Sequence, residues 1–284
     1  MNGKTAIVTG SNSGFGLLCS LELANLGYRV IATMRDVQKG KQLLEMAKKM
    51  EVEQLIHIHP LDVTSAQSIR QFADMLKREE KIDLLLNNAG FALGGFAEEV
   101  TIEEYRLQFE TNVFGVIGVT QAVIPLMRKQ GAGKIINMSS ISGRFGFPGL
   151  SPYVASKHAL EGYSESLRLE LKPYGIDVYL IEPGSYQTNI WTTGMKVASK
   201  SLNEHSPYSS YMNKINEELE RGQGQLGNPQ EIAQLVQDLA EGKKNTFRNP
   251  IGKGVRFTLV LKFIMPWKWV ERIVLKKLGI KKRY

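Results

Sequence analysis

The chain has 284 residues, 43% of them hydrophobic, with one cysteine and a formal net charge of +8. That length and apolar content suit one large domain and exclude a disordered or low-complexity chain, while a lone Cys19 excludes an internal disulfide framework and fits a reducing compartment. The charge is uneven: residues 243–284 hold 13 Lys/Arg against one acid, Glu271, so this tail carries +12 and residues 1–242 carry −4, which places the basic character in a tail and not in a groove.

The opening MNGKTAIVTG enters a strand almost at once, which predicts no leader segment. Strand-like runs follow at 5–9, 29–34, 55–59, 82–86, 134–138 and 176–181. Amphipathic segments lie between them at 15–26, 37–50, 65–79, 103–129 and 152–172. Near-continuous apolar strands alternating with helices predict a parallel sheet covered on both faces: one doubly wound, Rossmann-type α/β domain over 1–284. Residues 185–225 break the rhythm, polar and Gly-punctuated yet carrying Trp191, Met195, Tyr208, Tyr211 and Met212. They read as an insertion folded over a site at the carboxyl ends of the strands.

Residues 243–284 form a basic C-terminal extension. No apolar run reaches membrane-spanning length, since FTLVLKFIMPWKWV (257–270) is broken by Lys262, Pro266 and Lys268. Around 268–279, Val270, Ile273, Val274 and Leu278 share a helical face opposite Arg272 and Lys276, with Trp267 and Trp269 at its start. That is the composition of an interfacial helix in weak peripheral contact with a membrane surface. Docking on the protein's own insertion is the preferred expectation, because amphipathic helices of globular domains look the same. No nucleic-acid recognition motif accompanies the basic residues.

Three short stretches carry chemistry. TGSNSGFG (9–16) follows the first strand and opens a helix: Gly10 permits a tight turn, Gly14 lets backbone approach a ligand, and Gly16 lets helix and strand pack closely. The helix start then offers free amides to a pyrophosphate. In SPYVASKHALEG (151–162), Tyr153 and Lys157 stand one helical turn apart on one face, where an ammonium could lower the pKa of a phenol. His57 and His59 alternate along a strand with no companion ligands, so no metal site is expected. His158 faces away from Lys157 and reads as structural.

The spacing of Thr9-Gly10, Gly14 and Gly16 resembles the short-chain dehydrogenase/reductase family, and further motifs of that family follow in order across some 180 residues: NNAG at 87–90, Asn112, Ser140 thirteen residues before Tyr153, Tyr153–Lys157 as YxxxK, and PG at 183–184 with Thr188. The resemblance implies an oxidoreductase that moves a hydride to or from a nicotinamide; the alternative, a non-catalytic NADP-binding sensor on the same scaffold, would be signalled by a broken tetrad, and Asn112, Ser140, Tyr153 and Lys157 are all present. In the oxidoreductase reading Ser140 holds the carbonyl oxygen, Tyr153, acidified by Lys157 and by the positive nicotinamide of the oxidised cofactor, gives or takes the proton, and Asn112 holds a water linking Lys157 to solvent. Ser139 is set aside on the family spacing alone. The cofactor set it implies is Gly10, Ser13, Gly14, Phe15, Gly16, Arg35, Asp62, Val63, Asn88, Ala89, Gly90, Tyr153, Lys157, Pro183, Gly184 and Thr188.

Where an NAD enzyme would end its second strand with an acid, this chain has Met34 followed by Arg35. A guanidinium suits a 2′-phosphate, with Ser13 as a second donor, so NADP(H) is favoured over NAD(H). Asp36 is expected to cap the next helix. Phe91, Leu93, Phe96, Phe145, Phe147, Leu150 and Trp191 suggest an apolar substrate side, with Phe91, Phe147, Trp191 and Ser140 touching substrate, and Arg144 faces solvent. VIATMRD and the tail are similar to the branch containing 17β-hydroxysteroid and retinol dehydrogenases, which implies a small lipophilic alcohol or carbonyl and a cytoplasmic or membrane-peripheral location. The family also implies a homodimer through the helices bearing Asn112 and Tyr153. The usual short C-terminal strand is not evident in this chain, which tells against a tetramer.

Overall fold

Each apolar run becomes a strand in a computed structural model of the chain, which describes residues 3–187, 195–222 and 226–279. The strands are β1 (Thr5–Thr9), β2 (Arg29–Met34), β3 (Ile56–Pro60), β4 (Leu84–Asn87), β5 (Ala92–Gly94), β6 (Gly133–Met138), β7 (Ile176–Pro183), β8 (Met195–Val197) and β9 (Arg248–Ile251). Seven of them form a parallel sheet in the order β3-β2-β1-β4-β6-β7-β9. In its centre Ile7 lies opposite Ile31 on one side and Leu85 on the other. All three are buried, as expected where helices cover both faces.

The helices are α1 (Gly14–Asn25), α2 (Lys41–Lys49), α3 (Ala66–Leu76), α4 (Ile102–Phe109), α5 (Gly115–Gln130), α6 (Ser151–Leu171), α7 (Ser209–Gly222), α8 (Gln230–Glu241), α9 (Val255–Ile264) and α10 (Trp267–Lys277). On one face of the sheet α1, α2 and α8 bring Leu21, Leu43, Ile232 and Leu239 into the core. On the other, α3, α5 and α6 bring Phe72, Val123, Met127 and Leu167. Phe72 is fully buried, and truncating such a ring to Ala costs about 3–5 kcal/mol. Cys19 is buried as expected, and burial pushes its thiol far above the ordinary range.

Three expectations need correction. A C-terminal strand does exist: β9 pairs with β7, Leu180 opposite Arg248. Its sequence RNPI conceals it, because Pro250 is tolerated only where one edge needs no donor. One helix also passes the length and composition test for a membrane span, the continuous stretch Ile102–Gln130. Its Val119, Val123 and Met127 are fully buried in the core, so here it is a core helix whose apolar face is spent on the sheet. Finally, the extension does not dock chiefly on the insertion. Val270 and Val274 of α10 instead face the loop Phe145–Pro148 and the start of α6, while among the described residues of the insertion Lys214 donates to Gly279 O and Tyr186 lies against Gly252.

The insertion contributes β8, which pairs in parallel with β5 (Ala92 opposite Met195), and α7. Phe96 stacks on Tyr208 with centroids 4.4 Å apart and meets Tyr211 at 5.2 Å. The segment is thereby held over the loops that leave the carboxyl ends of β4 and β6. The strand order reverses between β1 and β4, and the crevice at such a switch is where doubly wound sheets bind ligands.

Candidate active site

The glycine turn occupies that crevice. Gly10 (φ 67°) and Gly14 (φ 54°) adopt left-handed backbone that glycine takes without strain. A Cβ on Gly16 would lie 2.5 Å from Asn88 Nδ2 and closer still to the Gly10 carbonyl, so only glycine lets α1 start this close to the turn. Thr9 and Asn88 clamp it. Thr9 Oγ1 accepts from the amides of Asn88 and Ala89, each at 2.9 Å, while Asn88 Nδ2 donates to Thr9 O (2.9 Å) and Gly10 O (3.2 Å). Asn88 thus shapes the turn through its side chain. Ser13, at the N-cap of α1, makes no side-chain cap, so the first-turn amides, including those of Phe15 and Gly16, are left to an external acceptor. This cradle, which a single methyl would fill, fits a dinucleotide pyrophosphate.

The carboxyl end of β2 adjoins the turn through Ser11 N donating to Thr33 O at 3.0 Å, which puts exposed Arg35 at its rim. Asp36 caps the following turn, accepting from Gln38 N at 3.1 Å. Asp62 Oδ1 accepts from the amide and hydroxyl of Thr64 at 2.9 and 2.7 Å, and the loop stays close to α5 because a Cβ on Gly115 would meet Val63. Gly90 lies against Asn112 Oδ1, 3.1 Å from where its Cβ would be. Gly184, after Pro183, donates to Ile251 O at 2.9 Å.

At the end of β6, Ser140 is extended and buried, and its Oγ accepts from Ser142 N at 3.1 Å. α6 begins with Pro152 in its first turn, where a missing amide costs nothing. One residue later Tyr153 is buried, with its phenol bonded to Ser140. Lys157 Nζ donates to Met138 O at 2.8 Å and sits 5.7 Å from the centre of the Tyr153 ring. The structure therefore brings Ser140, Tyr153 and Lys157 together at the rim of the glycine cradle. The acidification expected of Lys157 is not what dominates: burial pushes the Tyr153 phenol up to about 12, with Ser140 pulling the other way. Burial likewise pushes Lys157 down to about 8.

Asn112 lies in a π turn, Glu110–Phe114, between α4 and α5, an insertion that often re-aims a side chain at a functional site. Its amide donates to Phe91 O (3.1 Å) and Ser156 Oγ (3.2 Å) and accepts from Phe91 N (3.2 Å). It ties the turn after β4 to α6 by direct bonds. Gln108, one turn earlier and fully buried, ties the same turn to α4, donating to Phe91 O at 2.9 Å and accepting from Leu93 N at 2.8 Å. Sequence reading missed Gln108, whose only signal is its spacing of four from Asn112.

The apolar side is less uniform than expected. Leu93, Phe96 and Phe145 are buried in packing, and Leu150 pairs with Gly95. Phe147 packs on Phe145 at 5.0 Å and lines a cavity of about 440 Å³ with Val154, His158, Trp267 and Val274. Helical phase puts Val154, Ala155 and His158 about 130° around α6 from Tyr153 and Lys157, so Phe147 faces the C-terminal helix and not the reacting groups. Phe91 stays beside Asn112, with Lys196 over its ring at 5.1 Å. Thr188 and Trp191 lie outside the described residues. Among the described residues no group of three or more His, Cys, Asp or Glu could hold a metal ion.

The family pattern of short chain dehydrogenases matches residues 4–198. The chain belongs to that family. This short-chain dehydrogenase is 52% identical over 279 residues to an uncharacterized oxidoreductase, YusZ, of Bacillus subtilis, covering 98% of this chain and 99% of the relative. It is 34% identical to a 3-ketodihydrosphingosine reductase of Bacteroides thetaiotaomicron (89% of each chain) and 36% identical to human retinol dehydrogenase 8 (71% of this chain, 64% of the relative). Among solved structures, a short-chain dehydrogenase from Streptomyces avermitilis superposes with a TM-score of 0.82 at 31% identity over 98% of each chain. A metagenomic short-chain oxidoreductase in complex with NADP superposes with a TM-score of 0.69 at 25% identity, over 88% of this chain and 97% of that one.

Behind Ser140, Tyr153 and Lys157 of this dehydrogenase lies a charged cluster that the sequence reading did not find. Ser139, set aside above, donates to Glu161 of α6. Arg248 of β9 pairs with the same carboxylate, with Glu165 at 2.9 Å and with fully buried Glu182 at 3.0 Å. Arg144, expected to face solvent, approaches the other oxygen of Glu182 at 3.7 Å. Burial raises the Glu182 carboxyl, and Arg144 pulls it back. Lys262 of α9 donates to Arg144 O and lies 5.7 Å from the Phe145 ring centre. The extension is thus fastened to the loop between Ser140 and Tyr153.

Proposed function

We propose that this short-chain dehydrogenase is an NADP(H)-dependent oxidoreductase that interconverts a hydrophobic alcohol and its ketone or aldehyde, with Tyr153 as general acid/base. The observation that carries the reading is the meeting of Ser140, Tyr153 and Lys157 beside the glycine cradle. When bound, the nicotinamide supplies or accepts the hydride. The amides of the α1 start would hold the pyrophosphate, Arg35 and Ser13 a 2′-phosphate, and Lys157 the ribose hydroxyls. Ser140 donates to the substrate oxygen and orients it toward the phenol. With its phenol pushed up to about 12, Tyr153 is fully protonated at neutral pH and poised to donate. An alkoxide is a far stronger base than a phenolate, so proton donation during carbonyl reduction runs downhill.

A lipophilic substrate is supported by Phe91 beside Asn112 and by two relatives, a 3-ketodihydrosphingosine reductase and a retinol dehydrogenase. NADP is supported by Arg35 and by the NADP-bound structural neighbour. A homodimer through α4–α6 accords with exposed Leu107, Phe114 and Leu169 on those helices. The test is a panel of lipophilic ketones and aldehydes with NADPH and NADH, followed by loss of the near-ultraviolet band of the reduced nicotinamide. Turnover confined to small polar hydroxy acids or sugars, or a clear preference for NADH, would overturn the reading.

A further inference from the structure

The extension has two faces, and only one is used by the fold. Val255, Leu259 and Val270 are buried, Val274 lines the cavity against α6, and Lys262 is tied to Arg144 O. The other face is apolar and open: Phe257, Val260, Phe263 and Ile264 on α9, with Trp269 and Ile273 on α10, are 53–89% exposed. Trp267, at the corner after Pro266, is 60% exposed. Nowhere else among the described residues do so many large apolar side chains stand exposed within so short a segment. A patch of this kind marks an interaction surface.

We propose that α9 and α10 form a docking surface for an anionic membrane, with the aromatic and aliphatic side chains entering the headgroup–acyl boundary. Charge selects this occupant over a second copy of the chain. Exposed Lys268, Arg272, Lys276 and Lys277 flank the apolar residues of α10, against the single acid Glu271. A symmetric contact through this face would set these cations against their own copies, whereas acidic headgroups complement them. Two tryptophans at the start of α10 add the side chain that favours the interface, an apolar ring with one polar N–H. Because the opposite face is already seated on the loop Phe145–Pro148, docking requires no detachment of the helices. The surface is mounted beside the catalytic loop, yet the proposal does not depend on the chemistry assigned to Tyr153, since vesicle binding is read without turnover.

The test uses the full chain with vesicles of phosphatidylcholine alone and of phosphatidylcholine mixed with phosphatidylglycerol. The protein is expected to co-sediment with the mixed vesicles and to be released as salt rises well above 0.1 M, where charges are screened over about 10 Å. Brominated lipid acyl chains are expected to quench its tryptophan emission. The double variant Phe263→Glu/Trp269→Glu alters only exposed side chains; it should keep the wild-type melting temperature and lose at least about tenfold in partitioning. Lys276→Glu/Lys277→Glu should weaken binding to the mixed vesicles alone. Failure of the wild type to sediment with anionic vesicles, absence of quenching, or undiminished binding of the Phe263→Glu/Trp269→Glu variant would overturn the proposal. So would a wild-type dimer, dissociated by that variant, that ignores lipid.

Discussion

Lys157 is placed where stability and function pull in opposite directions, and Lys157→Met measures the conflict. Holding a lysine at about 8 in place of an ordinary 10.5 costs about 3 kcal/mol at neutral pH, at about 1.4 kcal/mol per tenfold. The methionine side chain fills similar space without a charge, but it leaves Met138 O without the bond from Nζ, a loss of about 1 kcal/mol. The variant should therefore be more stable by about 2 kcal/mol, a rise in Tm of about 4 °C for a chain of this size. The unfolded chain binds the extra proton between the two pKa values, so wild-type stability gains with rising pH over that window. The advantage of the variant should accordingly be full below pH about 8, cross zero between about 9 and 10, and become a deficit of about 1 kcal/mol, the lost Met138 bond, above about 10.5. Paired thermal melts of the two proteins across this range read the difference directly, other titrating groups cancelling. A variant that melts at or below the wild type at neutral pH, or an advantage that stays constant with pH, would show that the ammonium is far better solvated than its burial implies. Turnover should fall sharply in the same variant, because its ribose and phenol contacts go with the charge.

Tyr153→Phe should abolish turnover while NADPH still binds, as measured by cofactor fluorescence, because only the proton-carrying oxygen is lost. Arg35→Ala should weaken NADPH binding by about 1.5 kcal/mol, the low end for a charged hydrogen bond given its exposure, and leave NADH binding unchanged by calorimetry. Gly16→Ala should destabilise the fold by about 1–3 kcal/mol through overpacking against Gly10 and Asn88 and weaken both cofactors equally; an unchanged Tm would mean the turn can open.

The elements that were legible in the sequence are those whose side chains serve one purpose. β1, β4 and β6 are apolar because both faces are buried, the glycines at 10 and 16 stand where a Cβ meets backbone, and Gly14 takes a left-handed φ. β9 was illegible because Arg248 and Asn249 spend their side chains on tertiary bonds: Arg248 on three carboxylates, and Asn249 on Leu180 O and Thr246 O. The order of Ser140, Tyr153 and Lys157 could be read from spacing, but their titration could not. Proximity of an ammonium suggests acidification, and only burial reveals that desolvation outweighs it. Phe147 misled for a related reason: closeness in sequence to Tyr153 says nothing about which side of α6 a preceding loop covers.

The pairing of Arg248 with Glu161 and Glu182 spans 87 and 66 residues of chain, and it sets an order of events during synthesis. α6 and β7 leave the ribosome well before their guanidinium partner does. Until β9 arrives, closing the core would bury Glu161 without its guanidinium and leave Glu182 with Arg144 alone, a cost of several kcal/mol. α1 is in the same position, since its covering residues Ile232, Leu235 and Leu239 come from α8. The growing chain must therefore wait in a loosely packed state exposed to chaperones and proteases. The segment matching the family pattern, 4–198, lacks both α8 and β9. Expressed alone, it should remain unfolded until a fragment carrying α8 and β9 is supplied.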